Sequence, residues 1–278
     1  MAFKLVVLDF DGTFTDAEAE AAGFVEAFKA DVFDLLGRDA SQVWAQEEQK
    51  LRANPSDYGW SNDGVIAAPA NADPYLRVTV IAQNLCDRFA VLQNPATRTE
   101  VLEALYRKCY GLTESVPRPD AKDVLETLLD HQLPIVVVTN SRADTVQAKI
   151  DGLALRGGDR LTVMGNARKF VMASSPRDEL FDSLDDLAVP GLERRKVAVR
   201  RGHYYDALKR CWQETGSTAA ETLVCGDIFE LDLALPLTLG AHVHLIWHDE
   251  TPPYEIAFVD QHERGGSSRE LAGILARL

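Results

Sequence analysis

The sequence predicts an α/β protein in which a parallel sheet is covered by helices on both faces and an all-helical unit is inserted after the first strand. Beyond residue 119, short apolar runs alternate with amphipathic helical segments, as in a parallel sheet. Within residues 17–115, apolar residues recur at helical spacing and no segment has a convincing strand pattern. We therefore predict a core domain of residues 1–16 and 116–278 and a helical domain of residues 17–115.

The composition is that of a soluble globular protein with an acidic surface. The 278 residues are 46% apolar and 26% charged, and 29 basic against 43 acidic residues give a net charge of −14. Because there is no run of Lys or Arg, a nucleic-acid partner is disfavoured. No stretch reaches the roughly 20 apolar residues of a membrane span. The N-terminus leads directly into a strand rather than a signal peptide, so we expect a cytoplasmic protein without a membrane partner.

The first strand, residues 5–8, runs directly into two aspartates one residue apart, Asp9 and Asp11. Gly12 supplies a backbone that can turn tightly, and Thr13 adds a hydroxyl at the same point. A polar end on a buried strand indicates a functional site rather than an acidic turn.

The helical domain begins with a capping box at Thr15 and Glu18. Asp73-Pro74 and Asn94-Pro95 mark two further helix starts, each with a capping residue followed by proline. Residues 54–72 are predicted to form an irregular insert, and residues 115–119, with two prolines, a hinge.

The core domain continues with strands that end in polar side chains. We predict strands at residues 134–138, 161–164, 196–199, 222–226 and 243–247, with helices between them and a short helix within residues 177–187. Residues 153–195 are the least regular part. The second strand ends at Thr139 and the strand at residues 222–226 ends at Asp227. In an open parallel sheet all carboxyl ends lie along one edge, so these side chains should meet Asp9 and Asp11 there. Clustered carboxylates need a counter-charge, and an oxygen-only set suits Mg²⁺.

These motifs resemble those of the haloacid dehalogenase (HAD) superfamily, most of whose members are magnesium-dependent phosphatases. DFDGT resembles the first motif, which implies Asp9 as nucleophile and Asp11 as general acid and base. VVVTNS resembles the second and places Thr139 on the transferring phosphoryl group. GDIFELD resembles the fourth, with Asp227 on the metal and Asp232 supporting it. The resemblance also implies a Rossmann-like core and makes the helical domain a cap. We assign Mg²⁺ binding to Asp9, Asp11 (through its carbonyl), Asp227 and Asp232, and further cofactor contacts to Gly12 and Asn140.

The third motif departs from the family pattern. The family places a Lys, often followed by Pro, at a fixed distance before the fourth motif, and here that distance leads to Arg200 and Arg201. We rank these two arginines first as the phosphate-binding cation and Lys196 second. Lys169 lies far too early by this spacing. An arginine supplies the charge but differs from a lysine in geometry.

The resemblance implies a phosphatase that hydrolyses a small phosphorylated metabolite through an aspartyl-phosphate intermediate. A phosphomutase would share the first step and stays open, as does a catalytically silent binding protein, which the missing Lys-Pro favours. A dehalogenase is disfavoured because carbon–halogen cleavage needs neither a metal nor an acid at Asp11. We expect a monomer or a homodimer.

Overall fold

The computed structural model describes residues 3–62, 64–172 and 176–278. Six of its strands form one parallel sheet in the order β5-β4-β1-β6-β7-β8, and the other two form an antiparallel hairpin. The strands are β1 (Leu5–Leu8), β2 (Gly59–Asn62), β3 (Val65–Pro69), β4 (Ile135–Val138), β5 (Leu161–Met164), β6 (Thr222–Gly226), β7 (His242–Ile246) and β8 (Ser267–Ser268). The α/β architecture with a parallel sheet is thus confirmed.

The described helices lie on both faces of this sheet and in a separate layer beside it. They are α1 (Ala17–Leu36), α2 (Ser41–Ala53), α3 (Pro74–Arg88), α4 (Pro95–Tyr110), α5 (Ala121–Asp130), α6 (Ala143–Gly152), α7 (Glu179–Asp182), α8 (Gly202–Thr215), α9 (Ala234–Thr238), α10 (Pro253–Gln261) and α11 (Ala272–Leu275). Short 3₁₀ turns occupy Gly158–Arg160 and Ala219–Glu221, and a wide π-helical turn occupies Phe229–Leu233.

The central strand β1 is buried on both faces because its side chains alternate between two hydrophobic cores. Leu5 and Val7 pack in the core that contains α8 and α10. Val6 and Leu8 pack in the core that contains α5, α6 and α11. A strand enclosed in this way is held rigidly, which fixes the position of the residues that follow it.

The helices α1 to α4 form a separate layer with its own core. Phe24 and Phe28 of α1 pack there with apolar side chains of α3 and α4. The predicted caps form at Asp73 and Asn94, which accept hydrogen bonds from backbone N–H groups three residues on, each with proline at the first helical position. At the start of α1, however, the capping residue is Asp16 and not Thr15.

The hairpin of β2 and β3 is an element of this segment that the sequence pattern does not predict. Gly, Ser and Asn occupy three of the four positions of β2, and these residues have little preference for strands. In the structure Trp60 pairs with Ala68 across the hairpin, and its ring packs on Phe170 of the loop after β5. The boundaries of the helical domain at residues 17 and 115 stay a prediction.

Three core elements differ from expectation. Residues 196–199 make only an isolated bridge, between Val197 and Leu187, although Val197 and Val199 are buried. The apolar run there fills the core without joining the sheet, a case that periodicity alone does not distinguish from a strand. The helix expected within residues 177–187 is limited to the four residues of α7. The edge strand β8 was not predicted.

None of the described helices combines the length and apolar composition needed to cross a membrane.

Candidate active site

The polar strand ends meet at one edge of the sheet, as the sequence predicts. Asp9 follows β1, and β1 pairs with both β4 and β6. Leu8, the last residue of β1, is in register with Val137 and with Cys225, so Thr139 and Asp227 lie on either side of Asp9. The backbone N–H of Asp9 donates to the Cys225 carbonyl at 2.8 Å, which holds the start of the loop against β6.

Three buried carboxylates form the centre of the site. One oxygen each from Asp9, Asp227 and Asp232 lie within 4.8 Å of one another, and the three residues are 8%, 5% and 2% exposed. We call them the three-carboxylate cluster. The Thr13 hydroxyl lies 3.2 Å from oxygens of both Asp9 and Asp227, and the Ile228 N–H donates to Asp232 at 3.1 Å. The cluster is therefore held by the loops after β1 and β6.

Burial and repulsion between the carboxylates raise pKa values in the three-carboxylate cluster. Burial raises the pKa of Asp9 to about 7, even though the Lys169 ammonium lowers it. Burial, with the neighbouring carboxylates of Asp232 and Asp9, raises the pKa of Asp227 well above its usual range. The site therefore concentrates more negative charge than the protein compensates.

Lys169 is the cation in contact with this cluster, which corrects the ranking made from the sequence. Its side chain is 1% exposed, and Nζ donates to Asp9 Oδ1 at 2.7 Å and to Asp232 Oδ1 at 2.8 Å. Burial alone would lower the pKa of Lys169, but the carboxylates of Asp232 and Asp9 outweigh it and raise the pKa above its ordinary value. The two carboxylates thus favour the charged ammonium form of Lys169 beside Asp9.

The three cations that the sequence spacing favoured, Arg200, Arg201 and Lys196, do not contact the three-carboxylate cluster. Arg200 and Lys196 are exposed and do not line the cavity at the strand ends. Arg201 is fully buried, but its guanidinium donates to the carbonyls of Ala198, Ala67 and Lys169. It supports the backbone of Lys169 instead of reaching the carboxylates.

Spacing was misleading because a long irregular stretch and α8 separate Lys169 from β6. Lys169 is more than twice as far from Asp227 in sequence as Arg201 is. A signal was nevertheless present, since Lys169 follows β5, and β5 ends at the same edge of the sheet as β4 and β1.

Asn140 and Thr139 have different contacts: Asn140 binds the backbone of Lys169, whereas the Thr139 hydroxyl lies beside Asp11. The Asn140 side-chain oxygen accepts a hydrogen bond from the Lys169 N–H at 2.7 Å, so this residue positions the lysine loop. Thr139 is 1% exposed, and its hydroxyl accepts from the Ser141 N–H at 3.1 Å and lies 3.4 Å from Asp11 Oδ2. Both residues line the cavity beside Asp9.

Gly12 must be glycine for two reasons. Its φ of +83° lies in the left-handed region, which disfavours other residues. A Cβ atom at this position would also lie 2.3 Å from Asp227 Oδ2. Gly12 therefore acts through the shape of the loop, which allows Asp227 to approach Asp9.

The Asp11 carboxylate lies outside the three-carboxylate cluster. Lys149 of α6 donates to Asp11 Oδ1 at 2.7 Å and to the two Glu20 oxygens at 3.0 and 3.2 Å. Burial would lower the pKa of Lys149, but the carboxylates of Asp11 and Glu20 raise it overall. A metal contact from the Asp11 carbonyl stays a prediction.

A cavity of about 750 Å³ opens from the cluster towards the helical layer. Its inner end is lined by Asp9, Asp11, Thr139, Asp227 and Asp232. Its outer walls include side chains of the hairpin, α3 and α4. The volume is that of a pocket for a small molecule.

The cluster fits a hard divalent cation. Asp9, Asp227 and Asp232 offer oxygen ligands only, and Lys169 balances one of their three negative charges. Burial, with a smaller effect from the neighbouring carboxylates, raises the pKa of Asp9 and of Asp227, and a bound cation would favour their charged forms.

We expect the stability of the metal-free protein to fall as the pH rises through about 7. The folded-state pKa of Asp9 exceeds its ordinary 3.8, so the folded state binds this proton more tightly than the unfolded state. The associated stability is complete below the unfolded pKa and is lost as the pH passes the folded pKa. Thermal unfolding between about pH 5 and pH 8 measures the effect, and Mg²⁺ should raise Tm more at the higher pH.

The variant Asp227→Asn should flatten this pH dependence and weaken the Mg²⁺ effect, whereas Asp159→Asn, at an exposed position, should change neither. A Tm shift by Mg²⁺ that is the same at both pH values and in all three proteins would contradict the assignment.

The chain resembles known proteins in sequence and in fold. The family model of haloacid dehalogenase-like hydrolases matches residues 3–234. A search of curated proteins finds no match. Among solved structures, a predicted phosphoglycolate phosphatase from Haemophilus somnus is 15% identical with a TM-score of 0.58, over 99% of this chain and 97% of that chain. A putative HAD-hydrolase from Bacillus subtilis bound to magnesium is 14% identical with a TM-score of 0.53, over 100% and 99% of the two chains.

A predicted phosphatase from Clostridium acetobutylicum is 13% identical with a TM-score of 0.53, over the whole of both chains. At these identities the solved structures establish likeness of fold. The family match covers well over half of the sequence and includes the strands that carry Asp9, Thr139 and Asp227. The chain therefore belongs to the haloacid dehalogenase-like hydrolase family.

Proposed function

We propose that this hydrolase is a Mg²⁺-dependent phosphatase that removes the phosphoryl group of a small phosphorylated molecule through a covalent intermediate on Asp9. The observation that carries the proposal is the contact of Lys169 with Asp9 and Asp232 inside the three-carboxylate cluster. A buried carboxylate beside a fixed ammonium, at the end of a rigid strand, is a preorganised nucleophile.

In the first step Asp9 attacks phosphorus, and the bond from phosphorus to the leaving oxygen breaks. Asp11, which must enter this step as the protonated carboxylic acid, gives its proton to that oxygen and leaves the step as the carboxylate. In the second step Asp11 takes a proton from water as the water attacks phosphorus, and inorganic phosphate leaves while the Asp9 carboxylate is restored. The separation of Asp11 from the cluster supports this division of roles, because Lys169 donates to Asp9 whereas Asp11 is paired with Lys149.

The chain's other residues position the phosphoryl group. The Lys169 ammonium neutralises negative charge beside Asp9, and Asn140 and Arg201 hold its backbone from two sides. The Thr139 hydroxyl faces Asp11 and is available to a phosphoryl oxygen. Asp9, Asp227 and Asp232 would hold Mg²⁺, which when bound supplies positive charge for the phosphoryl oxygens.

The phosphomutase alternative differs only in the acceptor of the phosphoryl group. The silent binding protein loses its main support, because it rested on the absence of a suitably placed lysine. Release of inorganic phosphate from p-nitrophenyl phosphate, with Mg²⁺ and with EDTA, tests the proposal. Metal-dependent release supports it, and no release under either condition contradicts it.

Lys169→Met is expected to lower kcat/KM by about 10² to 10³, the usual cost of removing one donor that stabilises charge in a transition state. The variant also leaves Asp9 and Asp232 without their shared cation. Steady-state hydrolysis of an aryl phosphate measures the loss. Arg200→Met removes an exposed cation from the pair favoured by spacing and should leave kcat/KM unchanged. A loss in Arg200→Met and none in Lys169→Met would reverse the assignment.

A further inference from the structure

The outer half of the cavity is walled by aromatic rings from both domains. Trp60 of β2 and Phe170 of the loop after β5 meet with ring centroids 4.5 Å apart. On the α3 and α4 side, Tyr110 lies 5.8 Å from Tyr75 and 5.7 Å from Tyr106. All five rings line the cavity. Surfaces of this kind bind flat or apolar groups by stacking and by exclusion of water.

The charges around this aromatic section are mostly negative. Besides the three-carboxylate cluster, Asp11, Glu20, Asp73 and Glu114 line the cavity. Among the described residues of the lining, Lys149 is the sole cation, and it is already paired with both Asp11 and Glu20. A second anionic group on a substrate would therefore lie among carboxylates with no unpaired cation to receive it.

Building on the phosphatase function proposed above, we infer that the substrate is a phosphomonoester whose leaving group is bulky and aromatic or apolar and carries no second negative charge. The phosphoryl group occupies the inner end at Asp9, which the buried Lys169 holds from behind, and the leaving group extends between the ring pairs. The Haemophilus somnus protein is described as a predicted phosphoglycolate phosphatase, and phosphoglycolate carries a carboxylate in addition to its phosphoryl group. In this cavity that carboxylate would meet the acidic lining, so the structure disfavours it as a substrate.

A charge series tests the inference with leaving groups of similar size and acidity. The three substrates are O-phosphotyramine, 4-ethylphenyl phosphate and 4-(2-carboxyethyl)phenyl phosphate, whose side chains are cationic, neutral and anionic. We expect kcat/KM for the cationic and neutral compounds to exceed that for the anionic one by about tenfold or more. Equal values, or a preference for the anionic compound, would overturn the inference while leaving the phosphatase function intact. Failure of all three compounds and of p-nitrophenyl phosphate would overturn both.

Glu114→Lys provides a matched reversal of charge at the cavity mouth, where Glu114 is exposed and its side chain takes no part in the chemistry. This variant should raise kcat/KM for the anionic compound and lower it for the cationic one by about threefold each, with a smaller change for the neutral compound. Glu100→Lys makes the same change on an exposed position of α4 outside the cavity lining and should alter none of the three values. Identical behaviour of the two variants would argue against a charge effect of the lining.

The aromatic wall is tested with two alkyl phosphates of similar leaving-group acidity. We expect benzyl phosphate to exceed ethyl phosphate in kcat/KM by about tenfold, because its ring can stack in the outer cavity. Trp60→Ala should reduce this ratio by lowering the value for benzyl phosphate more than the value for ethyl phosphate, and circular dichroism checks that the variant is folded. A ratio near one in the unaltered protein would show that the rings do not select the leaving group.

Discussion

Asp9→Asn is expected to abolish turnover and to form no covalent phospho-enzyme. The amide keeps the size of the carboxylate and can still accept a hydrogen bond from Lys169, but it does not act as a nucleophile towards phosphorus. Because every later step requires the adduct on Asp9, no residual pathway through Asp11 remains. Mass spectrometry of the acid-quenched reaction measures the adduct on the peptide that contains Asp9, and phosphate release measures turnover.

The matched control is Asp16→Asn, seven residues along the same loop region. Asp16 is exposed and caps α1 by accepting a hydrogen bond from the Ala19 N–H, and asparagine is an equally good capping residue. This variant should retain the activity of the unaltered protein. Substantial turnover in Asp9→Asn, with a phosphoryl adduct on another residue, would show that Asp9 is not the nucleophile.

Asp11→Asn is expected to lower turnover by about 10² to 10⁴, the usual contribution of general acid–base catalysis, without abolishing formation of the adduct. The nucleophile is intact in this variant, but the proton for the leaving group and the base for hydrolysis are both lost. The fold should persist, because Lys149 keeps its contacts to Glu20 at 3.0 and 3.2 Å.

The size of the defect should depend on the substrate. An aryl phosphate has a leaving oxygen that needs little protonation, so Asp9 should still be phosphorylated and hydrolysis of the adduct should become limiting. An alkyl phosphate should lose the first step as well. Rapid-quench mass spectrometry should therefore detect accumulated adduct with the aryl compound only. Equal losses with both compounds and no trapped adduct would contradict covalent catalysis through Asp9.

The position of Asp9 and Asp11 at the end of the first strand could be predicted from the sequence, because the signals for it are local. An apolar strand that ends in D-x-D-G-T needs no knowledge of distant residues to be recognised, and Gly12 follows from the same turn. The meeting of Asp9, Thr139 and Asp227 follows from the parallel sheet, since all its strands end at one edge. Two helices of the inserted segment were also predictable, because their caps at Asp73 and Asn94 are local signals in the sequence.

The contacts made by residues in long irregular segments could be found only from the tertiary structure. The stretch between β5 and α8 carries Lys169 to Asp9 and Arg201 to the Lys169 backbone, whereas the sequence distance to Asp227 pointed to Arg200, Arg201 and Lys196. A loop's length does not determine where its residues lie, so spacing could not choose among these cations. The pairing of Asp11 with Lys149 and the meeting of Trp60 with Phe170 likewise join segments far apart in sequence. Strand ends follow from local hydrophobic patterns, but the walls of the cavity exist only when the separate segments pack together.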